Sequence, residues 1–532
     1  MKSRKMNTKW MMPLLLAFAL SSPAATHPGN ELRQPPLFTN GTALTAANGT
    51  VAVWPGFPVS VLTLNGSLPA PTIRVRRGDF FSASVSNQLG EPLVMHWHGI
   101  LAPSGMDGIP QSAIASGQSY RVRFPVRNRG GTYFYHAHTD ALTGKQVYRG
   151  LAGLFIVDDP AEDALGLPTG SRDVAMLISD KRTNTSHTLA YSPAMVDVMT
   201  GYLGNGVLVN GTPDAWLSVD KSCYRFRWVS ASNARVVKLG FSDGRSFRII
   251  ATDGGLLPAP ATVTSVTLGP GERVDALVDF SADASGANIT LRSLPFTAGG
   301  MGPGPRQGIQ LDVLNLYVDS TNTAPCVVPA TLSSITPYAA TNALRTRTFT
   351  VTASGMLHYI NGLQFVSDRL DFTVPWTELE RWDFVNQSTE FHPMHPHGVH
   401  FQVLSRSTGA LRPEDGGWKD TVLVAGSETV SALVRFDAYP GRFVFHCHNL
   451  EHEDNGMMLN FEVSSPGRPA LTLRSPSAVF DWPVWASDWT AESSHDLTNW
   501  LPATESPTYG NDTLRISPAG PPSHHFYRLR KP

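Results

Sequence analysis

Val444-Phe445-His446-Cys447-His448-Asn449-Leu450-Glu451-His452, followed by Met457, is the stretch on which the reading of this chain turns. Positions 446–457 hold one thiol, three imidazoles and a thioether. A soft thiolate, imidazoles and a long axial thioether make up the donor set of a mononuclear blue-copper electron-transfer site. Of the three imidazoles only His452 sits where it can share a metal with Cys447. The β-branched and aromatic residues Val444 and Phe445 give the segment strand character, and side chains along a strand alternate between faces. Cys447 therefore faces one way, and His446 and His448 face the other. One short segment touches two metal sites back to back, joined by the bonded path from the sulfur to each neighbouring ring.

Three more His pairs with one residue between them occur: His96-Trp97-His98-Gly99, His136-Ala137-His138 and His395-Pro396-His397-Gly398. They lie in or at the end of strand-like runs (Leu93-Val94-Met95, Thr132-Tyr133-Phe134-Tyr135), and the spacing puts both rings of a pair on one face. With His446 and His448 this gives eight imidazoles, too many for one ion and suited to three coppers sharing two or three rings each. His392 stands three residues before His395, an odd offset that turns it away from that pair and toward Cys447. His27, His187, His358, His400, His495, His524 and His525 have no place in this scheme.

These motifs, HWHG, YHAH, HPMHPHG and HCHNLEHEDNGMM, resemble in type and order those of the multicopper oxidase family, which includes laccases, ascorbate oxidases, bilirubin oxidases and bacterial cuprous oxidases. The resemblance spans roughly residues 35–465. It implies an all-β chain of three cupredoxin-like Greek-key β-sandwich domains and a copper cofactor of four ions. Type 1 copper is expected on His392, Cys447 and His452 with axial Met457, for which Met458 is the competitor. Type 2 copper is expected on His96 and His395, and the type 3 pair on His98, His136, His138, His397, His446 and His448. Asp107, nine residues after His98, matches the family's carboxylate beside the type 2 and type 3 ions; alone, Asp107-Gly108 reads as a turn. Glu453, directly after His452, is a candidate proton relay, whereas Glu451 and Asp454 read as solvated loop charges.

The chain has 532 residues, enough for three or four domains. A net charge of −1 with 16% charged residues gives no sign of a nucleic-acid or anionic-membrane partner. Gly 46 and Pro 41 suit a strand-and-turn architecture. Residues 1–25 read as a signal peptide: a basic region with Lys2, Arg4, Lys5 and Lys9, an apolar core from Trp10 to Leu20, then small residues. The apolar run is too short to anchor the chain in a bilayer, so the mature protein is expected to be periplasmic or secreted. With Cys447 assigned to metal, Cys223 and Cys326 remain, and an oxidising compartment favours a disulfide between them over two buried thiols.

Residues 30–160 form the first expected sandwich, 161–335 a second without a His pair, and 336–466 the third; 467–532 form a small β-rich extension with Trp482, Trp485, Trp489 and Trp500. Leu64-Asn65-Gly66, Val209-Asn210-Gly211 and Ile360-Asn361-Gly362 recur once per domain. The expected partners are dioxygen and a small reducing substrate: a phenol or aromatic amine, with metal ions such as cuprous ion, or bilirubin, as alternatives. Residues 340–390 contain only Met356, which speaks against a dedicated cuprous funnel, although Met195, Met199 and Met301 offer soft donors. A copper nitrite reductase does not require four His pairs, and a copper-free envelope scaffold does not require a full donor set.

Overall fold

The computed structural model describes residues 27–183, 187–298, 305–324, 326–474, 479–510, 512–518 and 526–531. The leader read at 1–25 and Met301 lie outside them. Regular structure is almost entirely β-strand, arranged as pairs of sheets. The first pair sets a four-stranded sheet (Ala43–Trp54, Phe57–Leu64, Phe80–Gln88, Ser119–Pro125) against another (Ala70–Arg76, Met95–His96, Gly131–Ala137, Ala152–Asp158). The second pair has seven and six strands, and the third has two sheets of five.

The three sandwiches repeat one wiring, the Greek-key crossover of a cupredoxin-like fold. In each, strands distant in sequence pair in parallel within a sheet: Ala43–Trp54 with Phe80–Gln88, Asp173–Lys181 with Cys223–Ser230, and Arg345–Ser354 with Leu379–Asn386. Strand alternation fixes which side packs. In Phe80–Gln88 the buried positions are Phe81, Ala83, Val85 and Asn87, with Ser82 and Ser84 turned outward. Phe81 sits among Trp97, Phe124 and Phe155 at 5.0–5.4 Å between ring centroids, a cluster whose loss costs about 3–5 kcal/mol per ring.

The recurring Asn-Gly pairs have a common physical job. Asn65, Asn210 and Asn361 all have φ near +50°, and each is followed by a glycine with positive φ, the signature of a two-residue hairpin turn. Each Asn side chain also accepts the backbone N–H of a neighbouring strand, from Thr45, Leu177 and Thr350 respectively.

Three features depart from or refine the sequence reading. Asn30–Glu31, expected in the first domain, pairs in parallel with Ala215–Trp216 and so extends the second sandwich. Cys223 and Cys326 form a disulfide. The C-terminal extension has its own core of Trp482, Val484, Ala486, Leu514 and Ile516, and it docks on both ligand-bearing sandwiches, through Phe80 of the first and Trp376 of the third against Trp485.

The bridge closes a sequence separation of 103 residues. Replacing both partners (Cys223→Ser/Cys326→Ser) is expected to cost about 2–5 kcal/mol through a freer unfolded chain. Thermal denaturation should show a lower Tm for the double variant than for the parent.

Candidate metal centre

Strand pairing, before any side-chain contact, aligns the donors. His96 lies directly opposite His136 across one ladder, and His395 lies opposite His446 across another. Cys447, at the end of strand Gly441–Cys447, faces Met394 on strand His392–Pro396. The backbone of Cys447 donates to Met457 O at 3.2 Å, and His448 N–H is held by Pro393 O.

On one face of this strand, Cys447 Sγ, His392 Nδ1 and His452 Nδ1 form a triangle with sides of 3.4, 3.7 and 3.3 Å. The centre of such a triangle lies about 2 Å from each corner, an ordinary metal–donor distance. Met457 is fully buried in the same apolar cluster as Cys447, while Met458 packs with Ile109 and Val444 in another. That separation favours Met457 over Met458 as the axial donor.

On the opposite face the other eight rings converge. Nε2–Nε2 distances are 3.2 Å for His138–His446, 3.1 Å for His397–His446, 3.3 Å for His136–His448 and 3.4 Å for His96–His395. His98 stacks on His395 at 3.9 Å. All eight are buried, at the junction of the first and third sandwiches.

The outer nitrogens decide whether these rings fit a metal. His96 Nδ1 donates to Asp107 O, His136 Nδ1 to Ala137 O, His395 Nδ1 to Asp420 O, and His397 Nδ1 to an Asp107 carboxylate oxygen, at 2.7–2.9 Å. With the proton drawn outward, each neutral ring presents a bare Nε2 lone pair inward. His96 and His395 are both set this way, and their lone pairs, 3.4 Å apart, repel unless a cation lies between them. His98 is reversed: its Nε2 meets Asp420 Oδ1 and Thr421 Oγ1, and its buried Nδ1 has no partner. At the other site His392 Nε2 is bonded to Ser388 Oγ and His452 Nε2 to Met199 O, leaving both Nδ1 atoms facing the sulfur. Burial pushes the Cys447 thiol up, so a thiolate persists here only beside a cation. The donor set of imidazoles, one thiolate and one thioether suits copper.

Two carboxylates back these rings. Asp107 is fully buried; Oδ2 holds His397 at 2.7 Å, Oδ1 has no partner, and burial raises its carboxyl well above the usual range. Glu453 lies 3.1 Å from His446 Nδ1 and 3.7 Å from His138 Nδ1. Burial would raise its pKa, but the His138 and His446 imidazoles outweigh that and hold it well below the usual carboxylate range. The expectation of solvated charges at Glu451 and Asp454 is corrected. Glu451 is buried and satisfied by Tyr191, Asn233 and Tyr202 N, and Asp454 caps the helix Thr143–Tyr148 through the Thr143 and Gly144 N–H groups.

His358, which has no spacing signal, is also here. Its buried ring lies 4.0 Å from that of His452 and 4.9 Å from that of His392, with neither nitrogen partnered.

Models of the multicopper oxidase family match residues 45–162, 178–298 and 333–467. A bilirubin oxidase of Albifimbria verrucaria is 33% identical over 417 residues, covering 75% of this chain and 72% of the relative. A laccase of Bacillus subtilis is 30% identical over 470 residues (77% and 91%), and the cell division protein FtsP of Photorhabdus laumondii is 32% identical over 418 (75% and 84%). The crystal structure of McoA multicopper oxidase from Aquifex aeolicus superposes with a TM-score of 0.76 at 35% identity, covering 82% of this chain and all of that one.

Two outcomes follow from this site. Asp107→Asn is expected to slow dioxygen consumption about 10²-fold while the blue absorption stays, since the residue backs the eight-ring pocket and not Cys447; unchanged turnover would count against its role. The second concerns pH. Burial, followed by neighbouring rings, depresses His96, His98, His395, His397 and His448 well below the ordinary histidine value, and burial, against the Ala137 carbonyl and Glu453, brings His136 down to about 4. At these six rings the unfolded chain therefore binds more protons than the folded one once pH falls below about 6.5, and they lower copper-free stability from there downward. Denaturation of the copper-free protein between pH 7.5 and about 5 should show a falling Tm; a flat profile would contradict the depressed values.

Proposed function

The chain belongs to the multicopper oxidase family, and from that premise we propose that it is a laccase-like, copper-dependent oxidase of phenols or aromatic amines. The observation that carries this reading is the back-to-back placement of the Cys447 triangle and the eight-ring pocket on one strand. Copper held on these donors would take electrons singly from the substrate and deliver four of them to dioxygen, giving two waters. The family resemblance assigns His392, Cys447, His452 and Met457 to the blue site, His96 and His395 to the type 2 site, and the six remaining rings to the type 3 pair.

The protein's own contribution begins at His452. Its Nε2 points away from Cys447 and donates to Met199 O on the short helix Met195–Thr200, at 2.9 Å. A substrate docked on this helix lies one hydrogen bond from the blue-site ring. Cys447 then supplies the covalent path, through the adjoining peptide units, to His446 and His448. Asp107, with its unpartnered Oδ1, and Glu453, behind His138 and His446, stand where protons for water formation are needed.

A second reading, oxidation of cuprous or another soft metal ion, is favoured by the same helix: Met195 is 64% exposed there, with Met199 one turn on. A copper-free scaffold has no need of twelve converging donors. The leader at 1–25 supports export to the periplasm or medium; among the described residues no helix is long and apolar enough to cross a membrane.

Metal analysis and oxygen uptake test the proposal together. About four coppers per chain with blue and near-ultraviolet bands, and uptake driven by phenols or aromatic amines, is the expected result. Uptake with cuprous ion but not phenols selects the second reading, and a chain that takes up no copper overturns both.

A further inference from the structure

Among its described residues the middle sandwich supplies none of the twelve donors, yet one of its side chains is locked into the centre of the molecule. Arg273 is fully buried, and all five of its side-chain N–H groups are used. Nε donates to Thr132 O of the first sandwich at 3.1 Å. Nη1 donates to Gly271 O at 2.9 Å and to Asp420 Oδ1 at 2.6 Å; Nη2 donates to Asp253 O at 2.9 Å and to Asp420 Oδ2 at 2.6 Å. The two bonds to Asp420 form a bidentate pair with the third sandwich, the geometry that only a guanidinium offers.

Asp420 in turn touches two rings of the eight-ring pocket. Its Oδ1 accepts from His98 Nε2 at 3.1 Å, and its backbone O from His395 Nδ1 at 2.8 Å. The surroundings are closely packed around this arrangement. A Cβ on Gly99, next to His98, would lie 2.3 Å from Asp420 Oδ2 and 2.7 Å from Arg273 Nη2. A Cβ on Gly271 would lie 3.0 Å from His98 Cε1. Among the pocket's rings with a hydrogen-bonded outer nitrogen, His98 is the one that turns Nδ1 inward, and a neutral imidazole presents a lone pair there only if the proton sits on Nε2.

We propose that Arg273 is a positioning residue that, through Asp420, fixes His98 as the Nε2–H tautomer with its Nδ1 lone pair directed into the pocket. The ligand-free middle sandwich thereby selects the binding state of a ring on the first. This rests on the copper reading for its purpose but not for its test, because the tautomer is a property of the copper-free chain.

The experiment uses the full chain carrying ¹⁵N-labelled histidine, copper-free and copper-loaded, with Asp420→Asn and Arg273→Lys. Ring nitrogen shifts in the copper-free protein should report Nε2–H for His98 in the parent and a shift toward Nδ1–H in both variants. On loading, the blue band should stay at parental intensity while the near-ultraviolet band weakens and copper affinity of the pocket falls about 10- to 100-fold. If Asp420→Asn fails to fold, Arg273→Lys, which keeps the charge but loses the bidentate fork, carries the test. Retention of Nε2–H and of the near-ultraviolet band overturns the proposal. Equal loss of both bands together with a collapsed copper-free Tm overturns it as well, since that is what a purely structural clamp gives.

Discussion

The proposed function of this molecule depends on the pleat of one strand. Gly441–Cys447 runs between His392–Pro396 and Met458–Val463, and the two-residue period sends the Cys447 sulfur to one face while His446 and His448 serve the other. No helix or loop would separate a thiolate from two imidazoles by so short a bonded path while keeping them on different metals. The sandwich around the strand exists to hold that pleat rigid. Phe445, on the same face as Cys447, packs on Phe349 at 4.7 Å between centroids and on Phe384 at 5.6 Å, so the register cannot slip without exposing the core.

The second constraint is electrostatic. A pocket of buried imidazoles, six of them with the outer nitrogen already hydrogen-bonded and so with a lone pair turned inward, is poor in energy without a cation and rich in affinity with one. The outward acceptors, backbone carbonyls for the most part, set that polarity in advance. Folding therefore prepares the pocket, and metal binding draws the first and third sandwiches together. The second sandwich joins this arrangement through Arg273 and the backbone of Gly271, and the C-terminal extension braces the same pair from outside, against Phe80 of the first and, through Trp485, Trp376 of the third.

Much of this was legible in the sequence because it rests on local periodicity. The twelve donors stand at spacings of two, three and five residues, which strand geometry converts directly into faces. The Asn-Gly phrases were visible as a recurrence once per domain, although their turn geometry was not read from them, and the pairing of the two cysteines followed once Cys447 was assigned. What escaped depends on residues brought together by the tertiary fold. Arg273 and Asp420 are 147 residues apart and carry no motif. His358 falls outside every His pair, and nothing local shows that its strand, Leu357–Ile360, lies against the blue-site rings. Glu451 and Asp454 follow a loop-like stretch whose charges would ordinarily be solvated; Glu451 is buried and Asp454 half-buried because the helix Leu450–Asp454 packs against Thr143–Gly144 of the first sandwich and Tyr202 and Asn233 of the second. Asn30–Glu31 joins the second sandwich because an edge strand was open there, a fact of topology and not of composition.

The central claim is that one strand serves two separate metal sites. Anomalous diffraction at the copper edge, from crystals of the copper-loaded protein, measures this directly. The account expects one peak within coordination distance of Cys447 Sγ, His392 Nδ1 and His452 Nδ1, and further peaks only among the eight rings on the other side, about four in all. A single ion bridging Cys447 and His446, or no density among the eight rings, would contradict it.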